Sequence, residues 1–308
     1  MALFGFDNVR YEENSQYPFL DLNESRFIEK LFERLIEVMQ DRFEEYEFYI
    51  FSNHDQGAIP ASSLINSRRK KVLLYFSDEQ GEDPQYLAAN YFAVFKSYMP
   101  RASTSPNVFP LALGYVKDVP ELPIKPIHQR KYNVFFRGNL NVSRLPFYKS
   151  FSLLKNILPD KIMGKKFLAN QLAKLKNDYS DYFPQSIIRF NDKFKSGLTP
   201  FEYGEVLADS KIILCPKGFS SSECFRHYEA MRAGCIIISE KLPNNELYEK
   251  SPILQVAQWR EGLKIAEDLI NDPDRMQKLH EDALFWWRNN WSERATAGYI
   301  KSNLLDLA

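Results

Sequence analysis

Residues 211–240, KIILCPKGFSSSECFRHYEAMRAGCIIISE, constrain the fold more tightly than any other part of this 308-residue chain. Two short runs rich in β-branched residues, 211–215 and 235–239, are flanked by turn formers, as strands buried in a parallel sheet are. Between them lie a glycine turn and a helical stretch that carries Arg226 and Glu229. Strand, crossover helix and strand in one run place the chain in the α/β class.

The rest of the sequence extends that pattern in both directions. From Asn23, a natural N-cap, Phe27, Ile28, Leu31, Phe32, Leu35, Ile36 and Met39 recur at helical spacing. Strands are expected at 47–51 and 71–76 and a helix at 85–98, which makes residues 1–117 a small α/β lobe. Pro120, Pro123 and Pro126 fall at every third position, so residues 118–130 read as an extended linker. A second α/β lobe is expected over 131–285. It begins with a strand at 132–136 that turns at Gly138, followed by helices at 145–157 and 161–176, a strand at 187–190 and a helix at 200–208. Asp272 then caps a helix with Pro273 at its first position, and residues 286–308 supply closing helices that pack back across the lobes.

Composition narrows the functional classes. Hydrophobic residues make up 44%, with 24 Phe and 17 Tyr, enough to build real cores. Forty basic side chains balance forty acidic ones, which argues against a nucleic-acid partner and requires any anion site to be local. Cys215, Cys224 and Cys235 are too widely spaced for CxxC chemistry, consistent with a reducing compartment. The first residues lack the charge and apolar runs of a secretory leader, and no apolar run approaches the roughly 20 residues of a membrane span. The expectation is a cytoplasmic protein, with room for peripheral attachment to the inner face of a membrane.

The chemistry concentrates after the strand at 211–215. Lys217 and Gly218 form the turn, and Ser220 to Ser222 precede the helix, whose N-terminus attracts anions through unpaired N–H groups. Arg226 and Glu229 share one helical face. They can form an intrahelical ion pair, or Arg226 can meet a diphosphate while Glu229 takes the two hydroxyls of a ribose. His227 reads as a packing residue. In the first lobe, Asp78 and then Glu79 are the preferred catalytic bases, because they follow a strand at its carboxyl end; His54 and Asp55 occupy the equivalent place after residues 47–51. Asp272 and Asp274 form the only Asp-x-Asp pair, which helix capping explains, so no metal is expected. Phe285, Trp286, Trp287 and Trp291 read as a packing seam.

PKGFSSSECFRHYEAMRAGCIII, its lead-in FEYGEVLADSKIILCPKG, and NVFFRGNLNVSR at 133–144 together resemble the signature blocks of exostosin-type glycosyltransferases. The resemblance covers about residues 132–239, with Ile237 standing where the family usually has proline. It implies two Rossmann-like α/β lobes about a central cleft, the GT-B architecture, with a nucleotide-diphosphate sugar in the second lobe. By position it places Arg226 on the diphosphate and Glu229 on the ribose, with Arg137, Gly138, Arg144, Lys217, Gly218 and Ser222 around the donor. The activity implied is inverting, metal-independent transfer from a UDP-sugar to a glycan or lipid-linked glycan in surface polysaccharide synthesis. Two alternatives stand beside it: a CMP- or GDP-sugar transferase, and a non-catalytic nucleotide- or sugar-binding module.

Overall fold

The computed structural model describes residues 2–151, 176–191 and 197–308. The chain divides into two compact units. One comprises residues 1–117, 243–251 and 288–308, the other residues 118–242 and 252–287.

The first unit is built on a six-stranded sheet whose spatial order follows the sequence: β1 (Ala2–Leu3), β2 (Phe6–Tyr11), β3 (Tyr46–Ser52), β4 (Lys70–Phe76), β5 (Ala93–Lys96) and β6 (Val108–Pro110). Only the β1–β2 pairing is antiparallel. Both β3 and the carboxyl half of β4 are buried on both faces, as parallel strands must be. Helix α1 (Ser25–Met39) turns Phe27, Ile28, Leu31, Phe32, Leu35 and Met39 inwards, as the spacing predicts, although its N-cap is Glu24 and not Asn23. Burial of each such side chain contributes about 1.5–3 kcal/mol.

The helix expected at 85–98 is absent. A 3-10 turn, Gln85–Asn90, gives way to β5, where Val94 and Phe95 pair with Leu73 and Leu74 on one side and Val108 and Phe109 on the other. Here tertiary pairing overrides the helical propensity of an alanine-bearing stretch.

The second unit carries a fully parallel sheet in the order β11-β10-β9-β7-β8. Its strands are β7 (Tyr132–Asn139), β8 (Ile187–Asn191), β9 (Ser210–Cys215), β10 (Ile236–Glu240) and β11 (Leu254–Val256). Helix α2 (Leu145–Ser150) follows β7; the remainder of the helical sequence expected at 145–157, and nearly all of that at 161–176, lies outside the described residues. Helix α3 (Pro200–Ala208) starts in a reciprocal cap, in which the Thr199 hydroxyl accepts from the Glu202 N–H and the Glu202 carboxylate accepts from the Thr199 N–H. Such a cap contributes about 1 kcal/mol. Helix α4 (Phe225–Arg232) crosses from β9 to β10, and α5 (Trp259–Ile270) and α6 (Pro273–Trp286) follow β11. Asp272 caps α6 by accepting from the Arg275 N–H at 3.0 Å, as its spacing predicts.

Residues 120–126 carry no regular structure and lead into a 3-10 turn, Ile127–Gln129, but the segment does not run free. Arg130 donates to the carbonyls of Ser210 and Ala233, Arg232 donates to that of Val119, and Ile127 enters the core of the second unit. A single π-turn, Trp287–Trp291, joins α6 to α7 (Glu293–Asp306). Trp287 and Trp291 are buried, whereas Phe285 is 66% exposed. Among the described residues no helix is long and apolar enough to cross a membrane.

Candidate functional site

The second sheet reverses its strand order between β7 and β9. In an open parallel sheet that reversal opens a crevice at the carboxyl ends, because the connections on either side depart to opposite faces. The strand β7 ends there in Arg137, Gly138 and Asn139, and β9 is followed by Pro216, Lys217 and Gly218.

Arg144 holds the two chain ends together. Its Nε donates to the Lys217 carbonyl at 2.8 Å, and its Nη1 donates to the backbone and side-chain oxygens of Asn139, both at 2.9 Å. With those donors spent on protein, Arg144 shapes the crevice from a buried position and does not present an open fork. Gly218 closes the turn through its own N–H, which donates to the Ser221 carbonyl. The first turn of α4 falls at Phe225, with Cys224 as N-cap, so Ser222 stands just outside the helix.

Arg226 behaves differently. Its Nη2 donates to the Arg137 carbonyl at 2.9 Å and its guanidinium lies 5.2 Å from the centre of the Phe136 ring, while its Nε and Nη1 are buried without a hydrogen-bond partner. The Nε of Arg137 is likewise buried and unpartnered. Native folds seldom leave charged donors in that state unless the site serves something else. Gly138 allows the close approach: a Cβ there would lie 3.0 Å from Arg144 Nη1 and 3.1 Å from Arg226 Nη2.

Glu229 sits one turn further along α4, only 4% exposed, and lines a niche of about 20 Å³ beneath Pro120. Burial first, then the neighbouring Glu229 carboxylate, push the Tyr203 hydroxyl well above its ordinary range.

Beside the crevice lies a cavity of about 890 Å³. Lys149, Lys217, Lys241 and Arg260 bring positive charge to its lining, with Glu240 as the one acidic group and Ser222 on its wall. The Glu240 carboxylate accepts from the Trp259 indole N–H at 2.6 Å. The cavity has the size of a small-molecule site, and its charge suits a polyanion. Sequence reasoning missed Lys241, Trp259 and Arg260, although each follows the carboxyl end of a strand. Among the described residues no three His, Cys, Asp or Glu side chains gather as metal ligands.

The first unit corrects one assignment. Asp78 is fully buried and pairs with the equally buried Lys96 at 2.8 Å, while its two oxygens accept from the N–H groups of Gln80 and Glu82. A carboxylate so enclosed cannot reach an acceptor hydroxyl, so Asp78 is a structural residue and not the base. The expectation rested on a rule for sheets that reverse their strand order, and this sheet is wound in one direction. Glu79 remains half-exposed at the carboxyl end of β4. His54 stacks edge-on against Tyr17, and the backbone N–H of Asp55 bonds Asn53. The buried Glu24 carboxyl, raised by desolvation, accepts from the Ser77 hydroxyl, which in turn accepts from that of Ser52.

No protein-family model and no curated protein sequence matches the chain. Solved structures do. The Anabaena protein Alr3699/HepE, determined in complex with UDP, aligns at a TM-score of 0.50 with 14% identity, covering 88% of this chain and 82% of that one. A UDP-forming trehalose-phosphate synthase from Burkholderia xenovorans aligns at 0.49 with 8% identity, covering 95% and 83%. A glycosyltransferase from Rickettsia africae aligns at 0.49 with 10% identity, covering 96% and 83%. At such identities the likeness is one of fold: the chain has the two-unit α/β architecture known as GT-B.

Proposed function

We propose that the protein is a glycosyltransferase that moves a sugar from a nucleotide-diphosphate donor, a UDP-sugar, to a glycan hydroxyl in surface polysaccharide synthesis. The observation that carries the reading is the set of unpaired buried guanidinium donors on Arg226 and Arg137, set at the strand-order reversal next to a cationic cavity. A diphosphate supplies the acceptors those donors lack, and its second phosphate finds Lys217 and Ser222 on the cavity wall. The fold shared with a protein solved with UDP supports the same reading.

In this mechanism Arg226 and Arg137 neutralise the leaving diphosphate with fixed donors, so transfer proceeds without a metal. Glu229, on the same face of α4, takes the ribose hydroxyls. Glu79 of the first unit, the remaining carboxylate at the end of β4, removes the acceptor proton, and attack from the face opposite the leaving group inverts the anomeric centre.

Titration calorimetry with UDP, GDP and CMP, followed by a donor screen for nucleotide release, tests the proposal. Micromolar UDP binding with UDP release in the presence of a chelator is expected. Binding of GDP or CMP alone would transfer the reading to another donor. UDP binding with no turnover on any acceptor would reduce the protein to a binding module.

A further inference from the structure

Next to the arginine pair stands a second constellation, Cys224, His227 and Ser239, which the proposed transfer reaction does not use. The Ser239 hydroxyl donates to the Cys215 carbonyl at 3.2 Å and therefore accepts from His227 Nε2 at 2.8 Å. That arrangement places the ring proton on Nε2 and leaves Nδ1 as the basic nitrogen. Nδ1 accepts from the Cys224 N–H at 3.2 Å and lies 3.4 Å from Cys224 Sγ. Once Nδ1 takes the thiol proton, the Cys224 carbonyl, also 3.2 Å away, can accept from it.

Sulfur thus occupies the N-cap of α4, where backbone N–H groups favour negative charge, with a general base in contact. Arg226, with two unpartnered donors, and Arg144 add positive charge from α4 and from the segment after β7. Other titratable groups about this cluster include Cys215 on β9, Tyr203 on α3, Glu229 on α4 and the adjoining Glu223. Burial acts to raise the Cys224 thiol, but the His227 imidazole, then Arg226 and Arg144, outweigh it and bring the thiol down to about 7. Burial pushes Cys215 and Cys235 up. Cys224 is also the one cysteine of the three with solvent exposure.

We propose that Cys224 is a modification site, a base-activated thiol that reacts with small hydroperoxides to form a sulfenic acid. His227 Nδ1 removes the thiol proton, and the thiolate attacks one peroxide oxygen. The S–O bond forms as the O–O bond breaks, sulfur loses two electrons to the peroxide, and the departing hydroxide or alkoxide takes the imidazolium proton to leave as water or the alcohol. Cys215 and Cys235 lack both the base and the access.

The test uses the full-length protein and two probes, hydrogen peroxide with dimedone trapping, and iodoacetamide labelling across pH, both read by peptide mass spectrometry. Neither readout depends on nucleotide binding, so it stands or falls apart from the donor-site proposal. We expect dimedone on Cys224 alone, and alkylation of Cys224 half-maximal near pH 7, against about 8.5 for an ordinary thiol. His227→Gln, checked for native circular dichroism, should move that midpoint up by at least about one unit. A wild-type midpoint at the ordinary value, or trapping spread evenly over the three cysteines, would overturn the proposal whether or not the variant folds.

Discussion

Replacing Arg226 by methionine separates a residue kept for a ligand from one kept for the fold. The substitution removes two buried unpartnered donors, each of which costs the folded protein about 1–3 kcal/mol. It also removes the charged hydrogen bond to the Arg137 carbonyl, about 1.5–3 kcal/mol, and the contact with the Phe136 ring, about 0.5–2 kcal/mol. Gains and losses overlap, and methionine preserves much of the packed volume. At about 2–4 °C per kcal/mol for a domain of this size, Tm should change by no more than about 5 °C. UDP binding should suffer much more. Loss of two charge-assisted hydrogen bonds at about 1.5–3 kcal/mol each weakens Kd by at least about 100-fold. Differential scanning fluorimetry and calorimetry on the same preparation give both numbers. A Tm loss above about 10 °C with UDP affinity unchanged would show that Arg226 serves the fold, and would refute the argument from unpaired donors.

Four further outcomes follow from the geometry. Asp78→Asn removes the carboxylate that pairs with the fully buried Lys96, so urea unfolding should show a loss of about 3–5 kcal/mol, and an unchanged midpoint would contradict the structural role. Gly138→Ala pushes a methyl against both Arg144 and Arg226, and a displacement worth about 1 kcal/mol should weaken UDP binding roughly fivefold at near-constant Tm. Glu79→Gln should lower kcat/KM about 10²–10⁴-fold while UDP affinity is kept, whereas an unchanged kcat/KM would move the base elsewhere. Glu24 is held above the ordinary glutamate value by burial, so the folded state binds the extra proton and stability falls as pH rises from about 4.3 towards the raised value. Glu24→Gln keeps an acceptor for Ser77 and should abolish that fall, which melts at pH 5 and pH 8 would reveal.

The sequence by itself determined the elements whose signals are local. The run at 211–240 specifies β9, α4 and β10 because β-branched strands, a glycine turn and a polar helix start are each written in consecutive residues. The spacing of apolar residues in α1 and the cap at Asp272 are local in the same sense. Local signals also placed Arg226 and Gly138 at strand and helix ends, where sheets carry function.

Only the tertiary structure decided what those ends meet. Strand β5 exists because Val94 and Phe95 find partners on two neighbouring strands, a pairing that no window of sequence contains. Asp78 looked open to solvent until Lys96, 18 residues on, arrived to neutralise it. Arg144 and Arg226 are the same residue type at two strand-following segments, yet one spends its donors on the Lys217 carbonyl and on Asn139, and the other keeps two unpaired. Hydrogen-bond satisfaction and burial are properties of three-dimensional neighbours. For that reason the sequence could name the residues at the edge of the sheet, and only the packed chain could show which of them still have bonds to give.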